Sequence, residues 1–486
     1  MLNVFCDTRR RSQICVCCVL CVVLAGCFGN RAVPDVRDTV DLPERYTTGQ
    51  SIEAPNVEAW CTDFGDPQLK VLIAKAFESN LSVRVAWNRL EQSRMFAVQT
   101  NSNLYPTVDA QAQVSQQRAG IITPGGIVNV DVRQYRPTVS AGYEVDLWGR
   151  LAAQREAADL DAKASSADVA AVTMSVTSEV ANAWFDVLQQ RRKSALLVRQ
   201  QELARKYLEL LMVQLRYGRG NALDVTQQEQ QIQALQAQKV TFDALLTQST
   251  IRLAGLLGTS VEKLELPAAA LAPVEQAGPK APPIPEVGVP ADLLARRPDV
   301  RAAHTRLLAS NKRIAVAVRN RLPALRLSAN LFLQATSLAA LVDTVLWNVA
   351  AQVSAPLIDG GRRRADVRLA ELRQDEALLN YASAVQSALN DVQLALTQIA
   401  LQDESVKLAL AQRDKAQTAL DLVRDRYQQG GASYLRILTA QQSLQSLEQS
   451  VVDAQRAQLG SRVQLCRALG GSWSNSKELT DKGSTR

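Results

Sequence analysis

Side chains that could do chemistry are sparse in this chain, and their spacing argues against most of it. The 486 residues hold one histidine, His304. No metal-ligand cluster, nucleophile elbow or phosphate loop accompanies it. Asp359-Gly360-Gly361 lacks the strand-to-helix glycine spacing that cradles a phosphate and reads as a turn. No catalytic residue, metal site or cofactor is expected. Cysteine is more telling. Cys6, Cys15, Cys17, Cys18 and Cys21 crowd ahead of Cys27, and only Cys61 and Cys466 follow it. Two isolated thiols make neither a metal cluster nor a disulfide framework. Their spacing carries no signal for a bridge, so the reading is two buried unpaired thiols, with a bridge as the alternative.

The crowded cysteines lie in a recognisable frame. Arg9, Arg10 and Arg11 precede an apolar run from Ile14 to Ala25, the layout of an export signal. The run is too short to span a bilayer as a helix. Leu24-Ala25-Gly26-Cys27 resembles the lipobox of bacterial lipoproteins, whose cysteine becomes the acylated first residue. That resemblance implies a signal peptide over residues 1–26 and a lipid on Cys27. Residue 28 is Phe, not the Asp of an inner-membrane retention signal, which favours the outer membrane. Each buried acyl CH₂ contributes about 0.8 kcal/mol, so several chains hold a protein firmly.

Composition narrows the class further. The chain is 47% hydrophobic but only 5% aromatic, which leaves few of the rings that usually fill a large globular core. The net charge is +7, with basic residues dispersed among acidic ones, so nucleic-acid binding gains no support.

The body is duplicated. Val83-Arg84-Val85-Ala86-Trp87-Asn88-Arg89-Leu90 aligns without gaps on Val300-Arg301-Ala302-Ala303-His304-Thr305-Arg306-Leu307, and Pro106 falls on Pro323 in the same register. His304 thus takes the place of Trp87 and reads as a packed helix residue. In a slightly shorter register, Gly149-Arg150 falls on Gly361-Arg362 and Leu257-Gly258 on Leu469-Gly470. A lipidated extended segment over 27–66 precedes the first copy (67–258). A proline-rich connector (259–290) separates it from the second (291–470), and a tail (471–486) follows.

Each copy changes period in the same order. Helical spacing over about 67–103 and 291–320 gives a leading helix. Alternation then follows. Val108, Ala110, Ala112 and Val114 oppose Asp109, Gln111, Gln113 and Ser115, and Tyr135, Pro137, Val139, Ala141, Tyr143 and Val145 oppose Arg136, Thr138, Ser140 and Glu144. Strands are expected at about 104–117 and 135–146, joined by a Pro-Gly-Gly loop over 118–134. The same alternation marks strands at about 324–335 and 345–357. Polar on one face and apolar on the other, with tyrosine and tryptophan near their ends, they suit a membrane barrel with a wet lumen. Four strands fall short of the smallest barrel, about eight, so the chain must oligomerise.

Proline-free stretches rich in Ala, Leu, Gln and Glu follow, over 150–216 and 361–427, each about 100 Å long as a helix. Their partners, 221–257 and 433–469, keep a heptad: Val225, Ile232, Leu246 and Leu253 in one phase and Leu235, Phe242 and Leu256 in another. Ile437, Leu444, Val451 and Leu465 match in the second copy, where Gln458 breaks the phase. A 3.5-residue repeat imposes left-handed coiled packing, so each copy closes with a long helical hairpin.

Three segments make the pattern specific: Tyr143-Glu144-Val145-Asp146-Leu147-Trp148-Gly149-Arg150, Ala355-Pro356-Leu357-Ile358-Asp359-Gly360-Gly361-Arg362, and the run from Pro290 to Arg301. With them the mature chain resembles the outer-membrane efflux proteins, the TolC-like channels, in their lipidated NodT-type branch. The fold expected is mainly α with membrane β-barrel strands, in two tandem repeats. The resemblance implies a homotrimer with a twelve-stranded barrel in outer-membrane lipid and an α-helical tunnel. It also implies two partners, a periplasmic adaptor and an inner-membrane transporter of the RND type. The function implied is a passive exit duct for drugs or similar toxic small molecules. A type I protein secretion channel and a non-conducting docking lipoprotein are the alternatives.

By the same resemblance the hairpin tips form the tunnel entrance. Arg216, Tyr217, Gly220, Arg426, Tyr427 and Gly430 are its matching residues, the arginines and tyrosines assigned to tip contacts and adaptor docking and the glycines to helix caps. Where many relatives carry tip carboxylates, this chain has Arg436 and Thr439, which argues against an acidic cation-trapping ring. The expected gate is Asp224 pairing with Arg436 or Arg426, with Tyr434 and Leu435 as an apolar constriction.

Overall fold

The computed structural model describes residues 33–34, 64, 66–264, 281–284, 296–341 and 344–471. The signal, Cys27, Cys61, most of the Pro-rich connector and the C-terminal tail lie outside the described residues. The chain forms two compact units. One contains residues up to Pro34, Asn101–Ala157 and Leu308–Asp375; the other contains Asp35–Thr100, Ala158–Leu307 and the residues from Glu376.

The first unit is built on an antiparallel sheet of β1 (Thr107–Thr123), β2 (Gly126–Val145), β3 (Ala324–Leu333) and β4 (Val345–Ser354), in the order β1-β2-β3-β4. Its register aligns the apolar phases of all four strands. Ala110 opposes Val139, Val139 opposes Leu331, and Leu331 opposes Trp347. Because successive side chains alternate faces, a slip of one residue anywhere would turn a strand's apolar set to the other side. The first hairpin runs further than the alternation implied. Residues 118–134 are not a loop: the strands continue to a tight turn at Pro124-Gly125. On the face that was apolar, polar pairs take over there, with Arg118 opposite Asp131 and bonded to both its oxygens at 2.7 Å, and Arg133 donating to Gln116 at 3.1 Å. The alternation reverses phase rather than ending, since Val128, Val130 and Val132 alternate with Asn129, Asp131 and Arg133, and the backbone ladder runs through the reversal.

The motifs at the strand exits start the long helices. Asp146 accepts from the amides of Leu151 and Ala152 at 3.1 and 2.8 Å, capping α3 (Arg150–Arg216). Gly149, at φ 70°, makes the preceding turn, and its carbonyl accepts from Arg319 at 2.6 Å. Trp148 Nε1 donates to Pro323 O at 2.6 Å, and Arg150 pairs with Glu144. In the second copy Asp359 accepts from the amides of Gly361 and Arg363, opening α6 (Arg362–Gln428). An aspartate near the start of a helix satisfies orphan amides and suits the macrodipole.

The second unit is the helical one; the remaining helices of the chain are α1 (Pro67–Ser79), α2 (Leu81–Ser102), α4 (Ala222–Leu256), α5 (Pro298–Arg319) and α7 (Tyr434–Ala468). α3 and α6 each have 67 residues and α4 and α7 each 35, consistent with two tandem copies. The leading helix of the first copy is two helices, broken at Asn80. Its side chain accepts from the amides of Ser82 and Val83 and caps α2. Two cores are built alike. Trp184, Phe185, Leu253 and Leu257 pack under Val83, while Tyr381, Val385, Leu465 and Leu469 pack under Val300.

Heptad positions Ile232, Leu235, Leu253, Ile437, Leu444, Val451 and Leu465 are buried as their phase requires. Gln458 breaks the phase because it donates to Asp403 at 2.8 Å. His304 is exposed on the surface of α5, its ring 5.2 Å from that of Tyr381. Cys466 corrects the reading of unpaired thiols: it is fully buried and disulfide-bonded.

Candidate functional site

The sheet presents an unusual surface for a water-soluble unit. Trp347, Val349 and Val353 are 75%, 72% and 69% exposed, and on β1 Val108 and Val114 are similarly bare. All belong to the shared apolar phase, so one face is greasy from edge to edge. The other face carries Asp109, Gln111, Gln113, Ser140, Asn330 and Gln352. β1 and β4 are the two edges, each paired on one side only among the described residues. Unpaired backbone edges beside an apolar surface are costly in hydrocarbon, and closing the sheet with strands of other copies removes them.

At the hairpin turns of the helical unit, one apolar cluster gathers four helix ends. Leu211, Leu420, Tyr434, Ile437, Leu438 and Leu444 form it, with Tyr207, Val225 and Tyr427 against it. The turns follow one pattern. Arg219 N donates to Gln214 O and Gly218 N to Leu215 O; Gly431 N donates to Arg426 O and Gly430 N to Tyr427 O. These are paired bonds that close a helix C-terminus around a left-handed residue. In the first turn that residue is Gly218, at φ 70°, and not Gly220. Gly220 is required for another reason, since a Cβ there would lie 2.6 Å from the backbone nitrogen of Leu215. Gly430, at φ 75°, is the left-handed residue of the second turn, as expected.

The expected gate residues do not come together as the sequence reading had them. Tyr434 is only 2% exposed, so it fills the core between helices and presents no constriction. Its hydroxyl donates to Gln228 Oε1 at 2.7 Å, and Gln228 Nε2 donates to Ala204 O at 2.7 Å. The Tyr427 ring meets Tyr434 edge-on at 6.1 Å, and its hydroxyl donates to Gln214 at 2.9 Å. Arg424 donates to the Tyr207 hydroxyl at 3.0 Å. Burial pushes the Tyr434 phenol above the ordinary tyrosine range, reinforced by Tyr207, Tyr427 and Asp224 nearby. Burial also raises Tyr427, more than its bond to Gln214 lowers it.

Asp224 pairs with neither Arg436 nor Arg426 within the chain. It sits in the first turn of α4, behind the Asn221 cap, where the helix N-terminus already favours a carboxylate. Leu435 is 52% exposed, and Arg216, Tyr217, Arg426 and Arg436 are exposed at the turns. Sequence reasoning missed Tyr207, Gln214, Gln228 and Arg424. Gln228 carried a legible signal, a polar residue in the heptad phase of Leu235 and Phe242. The others lie on long helices whose inward face no single period marks.

Comparison with known proteins agrees with this geometry. The family model for outer membrane efflux protein matches residues 72–259 and 289–471. The chain belongs to the outer membrane efflux protein family. Relatives include the pyoverdine export outer membrane protein OpmQ of Pseudomonas aeruginosa, 29% identical with 94% of this chain and 96% of that one covered. Another is the probable outer membrane lipoprotein SilC of Salmonella typhimurium, 28% identical, covering 93% and 97%. Among solved structures, the open-state MtrE outer membrane channel of Neisseria gonorrhoeae superposes with a TM-score of 0.78 at 27% identity, covering 91% and 98%.

The fold is therefore that of a TolC-like outer-membrane channel, and the protein is an outer-membrane component of an efflux system. Its family is one of channels, and membership implies a trimer that works with an adaptor and an inner-membrane pump. In such a trimer the open edges of each four-stranded sheet are available to strands of the other copies. No helix of the described residues is long and apolar enough to cross a membrane.

Proposed function

We propose that this outer membrane efflux protein is the passive exit duct of a tripartite pump for small toxic molecules, coupled through a periplasmic adaptor to an RND-type transporter and held by lipid on Cys27. The observation that carries the reading is the sheet: four strands in one register, one face apolar and bare, the other polar, both edges open. A docking spacer has no use for such a sheet; a conducting wall has. With no chemistry assigned to the chain, the energy for transport comes from the partner.

At the tips, Arg216, Tyr217 and Arg426 are the exposed candidates for adaptor contact, while Tyr427 and Tyr434 hold the helix ends together behind them. The decisive experiment is single-channel recording in planar bilayers on protein purified from outer membranes in mild detergent, with the mass of the assembly measured alongside. A conducting trimer supports the duct. A monomer that passes no current, in the wild type or with the tip loosened, overturns it in favour of a docking lipoprotein.

A further inference from the structure

The tip carries a charge imbalance that the duct reading leaves unused. The two turn segments, 216–224 and 425–436, hold Arg216, Arg219, Arg426 and Arg436 against Asp224 and Asp425. All four arginines are exposed, and none makes an ion pair within the described residues. Several other helix arginines are paired, Arg456 with Asp186, Arg462 with Asp403 and, beside the tip itself, Arg424 with Asp421.

Arg436 stands in the most exacting place. α7 opens at Ser433 with no side-chain cap and with no acid in its first turn. A helix N-terminus carries roughly half a positive charge, so a cation in that turn is unfavourable, and Arg436 makes no ion pair among the described residues that would offset it. The equivalent turn of α4 shows the ordinary solution, Asn221 as cap and Asp224 behind it. The four helix ends share one apolar cluster, so the charges are gathered and not scattered along the hairpins.

We infer that the hairpin tips form an electropositive entrance that favours anions, so that the cargo admitted is organic anions such as carboxylates, sulfonates and phosphates ahead of cations. The inference rests on the duct reading, with the surplus repeated in every subunit around the pore. At 0.1 M salt the Debye length is about 10 Å, comparable to a narrow mouth, so the charges act on a passing ion together; at 1 M it is about 3 Å and they do not. Low-dielectric walls focus such a field onto the permeating solute.

The test is the reversal potential of the full-length channel in a planar bilayer under a potassium chloride gradient. Wild-type protein should pass chloride over potassium by roughly two- to five-fold at low salt, with the ratio falling toward one near 1 M. Arg219→Gln with Arg436→Gln should bring the low-salt ratio close to one, and Arg436→Glu should turn it toward potassium. A channel that conducts but prefers potassium, or whose preference ignores both salt and these substitutions, overturns the inference and leaves the duct standing. Absence of current in wild type and in Tyr434→Phe, which loosens the tip without removing a ring, overturns the duct itself.

Discussion

Removing one oxygen from the tip core should loosen the tip measurably while sparing the rest of the chain. Tyr434→Phe keeps the ring, which is 98% removed from solvent, and deletes the hydroxyl that donates to Gln228 at 2.7 Å. Gln228 is itself fully buried, so its Oε1 loses its partner with no water at hand. A buried acceptor left unsatisfied costs about 1–3 kcal/mol, against only about 1 kcal/mol for an exposed bond. At about 2 kcal/mol, local opening becomes roughly thirty-fold more frequent.

Amide hydrogen exchange reads this directly. Exchange should quicken over 204–230 and 420–445 and stay unchanged around Val392, Val463 and Leu465 in the two other cores. Adding Gln228→Met should recover part of the loss, because an apolar pair of similar shape leaves nothing unsatisfied on that side. Unchanged exchange at the tip in Tyr434→Phe would refute the reasoning, since it would mean that the bond does not hold the helix ends together.

Other expectations follow from the same structure. Gly258→Ala should lower the yield and thermal stability of the assembly: φ there is 63°, and a Cβ would lie 2.5 Å from the Ser79 carbonyl oxygen. Gly218→Ala, equally left-handed but in open space, should cost only the backbone penalty of about 1–2 kcal/mol in a melting comparison. Arg297 lies between Asp299 and Asp391 at 2.7 and 2.9 Å. Burial alone would raise the Asp299 carboxyl, but bonds from Arg297 and backbone amides outweigh it and hold it below the usual range. The stability it contributes is therefore present at neutral pH and lost as pH falls through the carboxylate range, so acid titration of exchange at 297–303 should show a step that Asp299→Asn flattens. Cys27→Ser should abolish incorporation of labelled palmitate; continued labelling would remove the lipid anchor from the account.

The order of elements was written in the sequence because it depends on local rules. Alternation of period two marked the sheet, a 3.5-residue heptad marked the hairpins, and repetition fixed that each occurs twice. The lengths of α3 and α6 were legible because nothing interrupts them: no proline, and a capping aspartate at each start. The alternation within each of β1 to β4 already implied strands with one apolar and one polar face, suited to a membrane barrel.

Four features came only from tertiary structure. Tyr434 looks like a pore residue beside Leu435, yet the supercoil turns it inward and Leu435 outward. Asp224 and Arg436 look like partners in a line of text, yet one serves its own helix terminus and the other stands unpaired. The left-handed turn residue is Gly218, where the helix runs out, and not the glycine two places on. The β1–β2 hairpin runs on through a reversal of its alternation, because the backbone ladder does not depend on which face is apolar. Period tells which face of an element is apolar; which neighbour meets that face, and which polar group must then be satisfied inside, depends on packing between segments far apart in the chain.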